Sequence, residues 1–260
     1  MNPKMRVTIL GSGGSLGVPA AGGFWGDCDP HNPKNERTRA SLFVQSENTN
    51  ILVDATADVR TQLNRLGKID KLDGLILSHA HSDHISGMDD LRVLSYAGGG
   101  TLQMYANYET VEELKVRFDY IFQGGFGGLY KPFMTANVVD YGPHRIGDIR
   151  MDLFEQDHTS CSTIGVRIND FAYSVDMAAL DDKAQEKLKG VDTWVVDAGG
   201  YKREKVSTHA TVDRIMYYAE KLGIRQTYLS VLTGAMDYNT LCRELPEHIR
   251  PAYDGMELEI

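Results

Sequence analysis

A four-layer α/β/β/α sandwich is the fold class this sequence predicts, and two observations carry it. Strand-like runs mixed with helix-like stretches recur in both halves of the chain. Such a pattern calls for two sheets packed face to face with helices outside. In addition, one short apolar run, Leu72–Leu77, stops at Ser78 and is followed by His79-Ala-His-Ser-Asp-His84. Ligand-type side chains concentrated at the mouth of a buried strand read as a metal-binding loop.

The elements follow in order. Arg6–Leu10 reads as a strand that runs into the glycine loop Gly11–Gly17. Strands are expected at Ala40–Gln45 and Asn50–Val53. A helix is expected over Ala57–Leu66, where Val59, Leu63 and Leu66 share one face. After the His-rich loop, Ile85–Tyr96 reads as a helix beginning just past the last histidine. Thr101–Ala106 alternates as a strand and Glu109–Arg117 is helical in spacing. Residues 120–133 mix glycines with aromatics; Gly124–Gly128 reads as a mobile lid, a homodimer contact or an ordinary surface loop. The second half repeats the style. Strands are expected at Ile149–Glu155, Ser162–Ile168, Phe171–Val175, Thr193–Val196 and Gln226–Leu232, with helices at Leu180–Leu188 and Val212–Lys221.

The chain has 260 residues, 42% of them hydrophobic, with no repeat and no low-complexity run, and it reads as a single domain over residues 1–260. Its formal net charge of −9 repels polyanions at long range, which argues against bulk nucleic-acid binding and for a small-molecule substrate. No run of ~18 apolar residues is present, so no membrane span is expected. Met1–Leu10 lacks the features of a signal peptide. The three cysteines, Cys28, Cys161 and Cys242, are an odd, sparse set that reads as reduced and cytoplasmic.

In an extended loop, residues two apart point the same way, so His79 and His81 can share one metal. Asp83 and His84 can turn toward a second. Imidazole with carboxylate suits zinc, manganese or iron.

These residues resemble the metal signature of the metallo-β-lactamase superfamily. More closely, the chain is similar to the phosphoribosyl cyclic phosphate phosphodiesterase branch. The likeness rests on Gly11-Ser-Gly-Gly-Ser-Leu-Gly-Val-Pro19, Arg37-Thr-Arg-Ala-Ser41, Asp54-Ala55, Gly87-Met-Asp-Asp-Leu-Arg92, Leu245-Pro246 and Tyr253-Asp-Gly-Met256. The resemblance implies further ligands: His158 as the third histidine of the first site, and Asp176 as an aspartate bridging both metals. Asp176 also reads as a helix N-cap. The resemblance makes His209 the proton donor; the bland alternative is a surface histidine near a helix start.

The resemblance breaks at one place. The branch has one more histidine at the end of the last long strand, and here that position is Val231 or, two residues on, Thr233. The second site is then one ligand short, which implies one tightly bound metal and a second, weakened one. Cys28 and His31 do not supply enough ligands for a structural zinc. Cys161 reads as a small buried residue and His248 as solvent-facing. The glycine loop lacks the lysine ending of a nucleotide loop, so phosphate cradling is the weaker reading.

The expected activity is a metal-dependent hydrolase, a phosphodiesterase on a small (cyclic) phosphodiester, with catalytic roles for Asp83 and His209. Two alternatives stay open. Asp54–Arg60 resembles the matching stretch of the pyrroloquinoline-quinone biosynthesis B family, which implies an iron-dependent oxidase or hydroxylase. A non-catalytic binding relative is the other.

Overall fold

In this computed structural model residues 4–202 and 207–260 are described. The first half forms strands β1 (Arg6–Gly11), β2 (Ser41–Gln45), β3 (Asn50–Val53), β4 (Gly74–Ile76), β5 (Leu102–Ala106) and β6 (Met134–Val138). The second forms β7 (Gly142–Ile146), β8 (Ile149–Asp157), β9 (Ser162–Ile168), β10 (Phe171–Ser174), β11 (Thr193–Asp197), β12 (Gln226–Ser230) and β13 (Ile249–Pro251). The last strand, β14 (Met256–Glu259), returns to the first sheet and pairs with β1. Two seven-stranded sheets result, ordered β14-β1-β2-β3-β4-β5-β6 and β13-β12-β11-β10-β9-β8-β7.

The period of two along each strand sorts side chains between layers. Leu42 and Val44 enter the core between the sheets, as do Ile51 and Val53, whereas Phe43 and Leu52 between them face outward. Val195 points inward, while Trp194 and Val196 point to the opposite face. The outer face of the first sheet is covered by α1 (Val59–Arg65), α4 (Tyr108–Arg117) and α5 (Asp119–Gln123), through Val59, Val111, Leu114 and Ile121. Short α2 (Ser82–Ile85) and α3 (Arg92–Ala97) lie between α1 and α4 in the chain. The second sheet is covered by α6 (Asp182–Leu188), α7 (Val212–Leu222) and α8 (Tyr238–Glu244), through Leu188, Ile215, Ala219 and Leu241. The α/β/β/α layering expected from the sequence is therefore present.

Local chemistry sets the helix ends. Thr211 caps α7 by accepting from Arg214 N, and Gly223 ends it in the left-handed region at φ 69°. Asn107 and Asp237 cap α4 and α8 in the same way.

The structure corrects one helix. The expected Ile85–Tyr96 element begins earlier, at Ser82, and is broken by a 3-10 turn at Met88–Leu91 before α3 resumes. Gly87 sits at the break, where an added Cβ would lie 1.9 Å from Thr56 O. The chain must pass that close because Gly87 N and Ala55 N pair with Ala55 O and His84 O. It also corrects the cap reading of Asp176. Helix α6 starts at Asp182, and Asp181 is the residue whose side chain accepts from Ala184 N.

Among the described residues no helix is long and apolar enough to cross a membrane. The glycine loop packs on the neighbouring chain: Gly13 N donates to Thr38 O and Gly14 N to Leu232 O. Asp254 ties it to the chain's end, accepting from Ser12 N and Oγ and from Thr38 N and Oγ1.

Candidate metal centre

The candidate residues gather where strands stop. Ser78 and the His-rich loop follow β4, His158 follows β8, Asp176 follows β10, and Asp197 ends β11. Asp54 and Asp176 leave their strands at φ 64° and 44°, a left-handed conformation that aspartate tolerates better than most residues. The turn throws each carboxylate across the strand ends.

Three candidate ligand groups share Asp176. His79, His81 and His158 join it in one, Asp83 and His84 in another, and Asp197 and His209 in the third. Asp176 Oδ2 lies 3.7 Å from His79 Nε2, 3.5 Å from His158 Nε2 and 3.3 Å from His84 Nε2, and His84 Nε2 lies 3.4 Å from Asp83 Oδ2. These separations are long for hydrogen bonds. The two at His84, 3.3 and 3.4 Å, match the roughly 3.3–3.4 Å between donors that each sit ~2.0–2.1 Å from one tetrahedral ion, and the two at His79 and His158, 3.7 and 3.5 Å, are slightly wider. Two buried polar atoms in the cluster, His79 Nε2 and Asp176 Oδ1, have no hydrogen-bond partner. Such orphans are costly unless an ion satisfies them. The donor set therefore fits a divalent cation.

The other ring nitrogens fix the tautomers. His84 Nδ1 donates to Asp54 Oδ2 at 2.8 Å, and His158 Nδ1 to Thr208 O at 2.6 Å. Ser78 Oγ donates to Asp54 Oδ2 and so accepts from His79 Nδ1 at 2.9 Å. With each Nδ1 committed to an outside partner, Nε2 is the nitrogen each neutral ring turns to the cluster. The loop is not wholly extended as the sequence implied. His81 is extended, but Asp83 and His84 lie in the first turn of α2, so adjacent side chains diverge by about 100°.

Electrostatics tie the cluster together. Burial alone would raise the Asp176 carboxyl, yet His84 and His79 hold it far below the usual carboxylate range. Burial, then the nearby His84, pushes His79 well below the ordinary histidine value. Burial works against charge on His84 too, but Asp176 and Asp54 raise it well above that value.

His209 stands beside the cluster, its ring 5.2 Å from that of His158. Its Nδ1 donates to Asp197 Oδ2 at 2.8 Å. Asp197 is fully buried and also accepts from Met177 N and Gly199 N. Burial resists charge on His209, but the Asp197 hydrogen bond and charge push it up to about 9. Sequence reasoning missed Asp197, and it left the role of Asp54 unread. A signal existed: Val53-Asp54, Val175-Asp176 and Val196-Asp197 each end an apolar strand with the same pair.

The remaining candidates lie elsewhere. Val231 ends β12 with a buried side chain at φ 59°, strained for a β-branched residue. Thr233 is exposed. Cys28 is buried against Arg37 Nη1, His31 is exposed, and no metal-ligand group among the described residues includes them. Cys161, read as buried, is exposed in the loop after β8, because its backbone carbonyl turns inward to accept from His158 N.

Residues 49–230 match the family described as a beta-lactamase superfamily domain. A crystal structure of a diphosphatase from the PhnP family is 33% identical, covers 100% of this chain and 98% of its own, and superposes with a TM-score of 0.89. An octanoyltransferase of Porphyromonas gingivalis is 29% identical over 97% of this chain but only 51% of that protein. The probable metallo-hydrolase YhfI of Bacillus subtilis is 34% identical over 43% of this chain and 41% of its own. The chain thus spans about half the length, or less, of these curated relatives. It belongs to the metallo-β-lactamase superfamily and, within it, to the PhnP-like branch.

Proposed function

We propose that the chain is a metal-dependent hydrolase of small phosphodiesters or diphosphates. The observation that carries this reading is the pair of ligand sets sharing Asp176, with the His209–Asp197 pair alongside. The full-length likeness to a PhnP-family diphosphatase supports it. His79, His81 and His158 would hold the tighter cation, zinc or manganese, and Asp83 and His84 the weaker, with Asp176 common to both. Bound there, a divalent cation supplies Lewis acidity, which neutralises phosphoryl charge and makes water acidic enough to ionise near neutral pH.

The chain's own groups do the rest. Asp83, half-buried at the edge of the cluster, accepts a hydrogen bond from the attacking water and orients it. Asp197 fixes the proton on His209 Nδ1, leaving Nε2–H to donate to the departing oxygen. A proton supplied there spares the leaving group from departing as an alkoxide.

Turnover of bis(p-nitrophenyl) phosphate by the full chain loaded with zinc or manganese tests the reading. An octanoyl thioester serves as the contrasting substrate. Replacing His81 by Ala should abolish diester turnover and release most of the metal. Oxygen uptake with iron and no diester cleavage, or thioester cleavage alone, overturns the proposal.

A further inference from the structure

We infer that Arg117 is a positioning residue that clamps the metal-binding loop from outside. Along this loop the ligands alternate with residues that do not ligate: His79, Ala80, His81, Ser82, Asp83. Arg117, the last residue of α4, grips both intervening positions. Its Nη1 donates to Ala80 O at 2.6 Å and its Nη2 to Ser82 Oγ at 3.1 Å. Nη1 also meets Glu113 Oε1 at 2.7 Å, one helical turn back, which holds the guanidinium in place. The planar fork of arginine suits two acceptors at once; a lysine ammonium on a flexible stem does not fix both directions.

His81 needs such support more than the other ligands do. His79 and His84 each have a buried partner on Nδ1, and His158 has a part-buried one. Among the described residues no hydrogen bond fixes the His81 ring, and His81 is exposed. Its orientation is therefore set by the backbone on either side, which is where Arg117 acts.

The inference rests on the reading that residues 79–84 hold cations, and the experiment separates the two. Zinc affinity and release rate are measured by chelator competition on the full chain and on Arg117→Ala, Arg117→Lys and Glu113→Gln. Melting temperatures are taken with and without zinc. Arg117→Ala should weaken zinc binding on the order of 10-fold and speed its release. It should shrink the zinc-induced rise in melting temperature while the zinc-free value stays near wild type. Arg117→Lys should recover part of the affinity, and Glu113→Gln should lose less than Arg117→Ala. Unchanged zinc affinity in Arg117→Ala, or an equal fall in both melting temperatures, overturns the positioning role alone. A wild-type chain that takes up neither zinc nor manganese overturns the metal reading and this inference with it.

Discussion

His84 Nδ1 lies 2.8 Å from Asp54 Oδ2, and this contact ties helix α2, with its candidate ligands Asp83 and His84, to the end of a strand that supplies no candidate ligand. The same carboxylate accepts from Ser78 N and Oγ, so through Ser78 it also orients His79. One buried aspartate therefore sets a ring in each ligand set.

Replacing Asp54 by Asn tests that role. The amide keeps the shape but loses the charge, and its NH2 cannot accept from His84. Zinc affinity should fall about 10–100-fold, the usual cost of losing such an outer partner. Chelator competition on the folded variant checks it. Unaltered affinity would show that packing alone orients His79 and His84.

The sequence made the middle of each sheet legible and left the margins dark. The strands it failed to show are β6, β7, β13 and β14, and these are the four sheet edges. An edge strand pairs on one side only and need not bury every second residue, so its apolar alternation fades. In β7, Gly-Pro-His-Arg-Ile, only Ile146 is buried. The ligand cluster was legible because four metal-type side chains fall within six positions. The pairing of Asp197 with His209 was not, because the two lie twelve residues apart and meet only through tertiary packing.

Gly87→Ala should unfold the chain more easily, although Gly87 touches no ligand. The new Cβ would meet Thr56 O at 1.9 Å and Val59 Cγ1 at 2.5 Å. One of those contacts is backbone, so relief requires moving the seam that joins Ala55 to His84. Overpacking of this kind costs about 1–3 kcal/mol or more. A urea midpoint within error of wild type would show that the seam yields freely.

The Asp197–His209 pair predicts a pH profile. Its Asp197 partner raises His209 to about 9, above the roughly 6.5 of free histidine. A raised value means the charged form, and the stability it contributes, is fully present below ~6.5 and fades as pH climbs through about 9. If protonated His209 is the acid, turnover should fall over the same alkaline range. Asp197→Asn removes the charge that holds the proton, so the alkaline limb should move toward lower pH. A limb that stays in place would assign the titration to another group.

The last prediction concerns the unequal ligand sets. The first offers three histidines and Asp176; the second offers Asp83, His84 and a share of the same Asp176. Ligation must beat both water and protons, and the second set brings only two donors besides the shared aspartate. Each missing donor then weakens the site further. The expected result is one strongly held and one weakly held metal per chain, read by elemental analysis after dialysis. Val231→His and Thr233→His test which position can supply the missing donor. Position 231 already holds a left-handed backbone at the end of β12, next to β11 with its Asp197, but its side chain is buried. Position 233 is exposed, and its carbonyl is held by Arg37 Nη1 at 3.3 Å. A buried valine at φ 59° is strained, and histidine tolerates that region better, so Val231→His gains in backbone what it loses in packing. It is the substitution expected to raise the second occupancy, and with it diester turnover if both metals act. Two tightly held metals in the unaltered chain would show that another group already completes the second set.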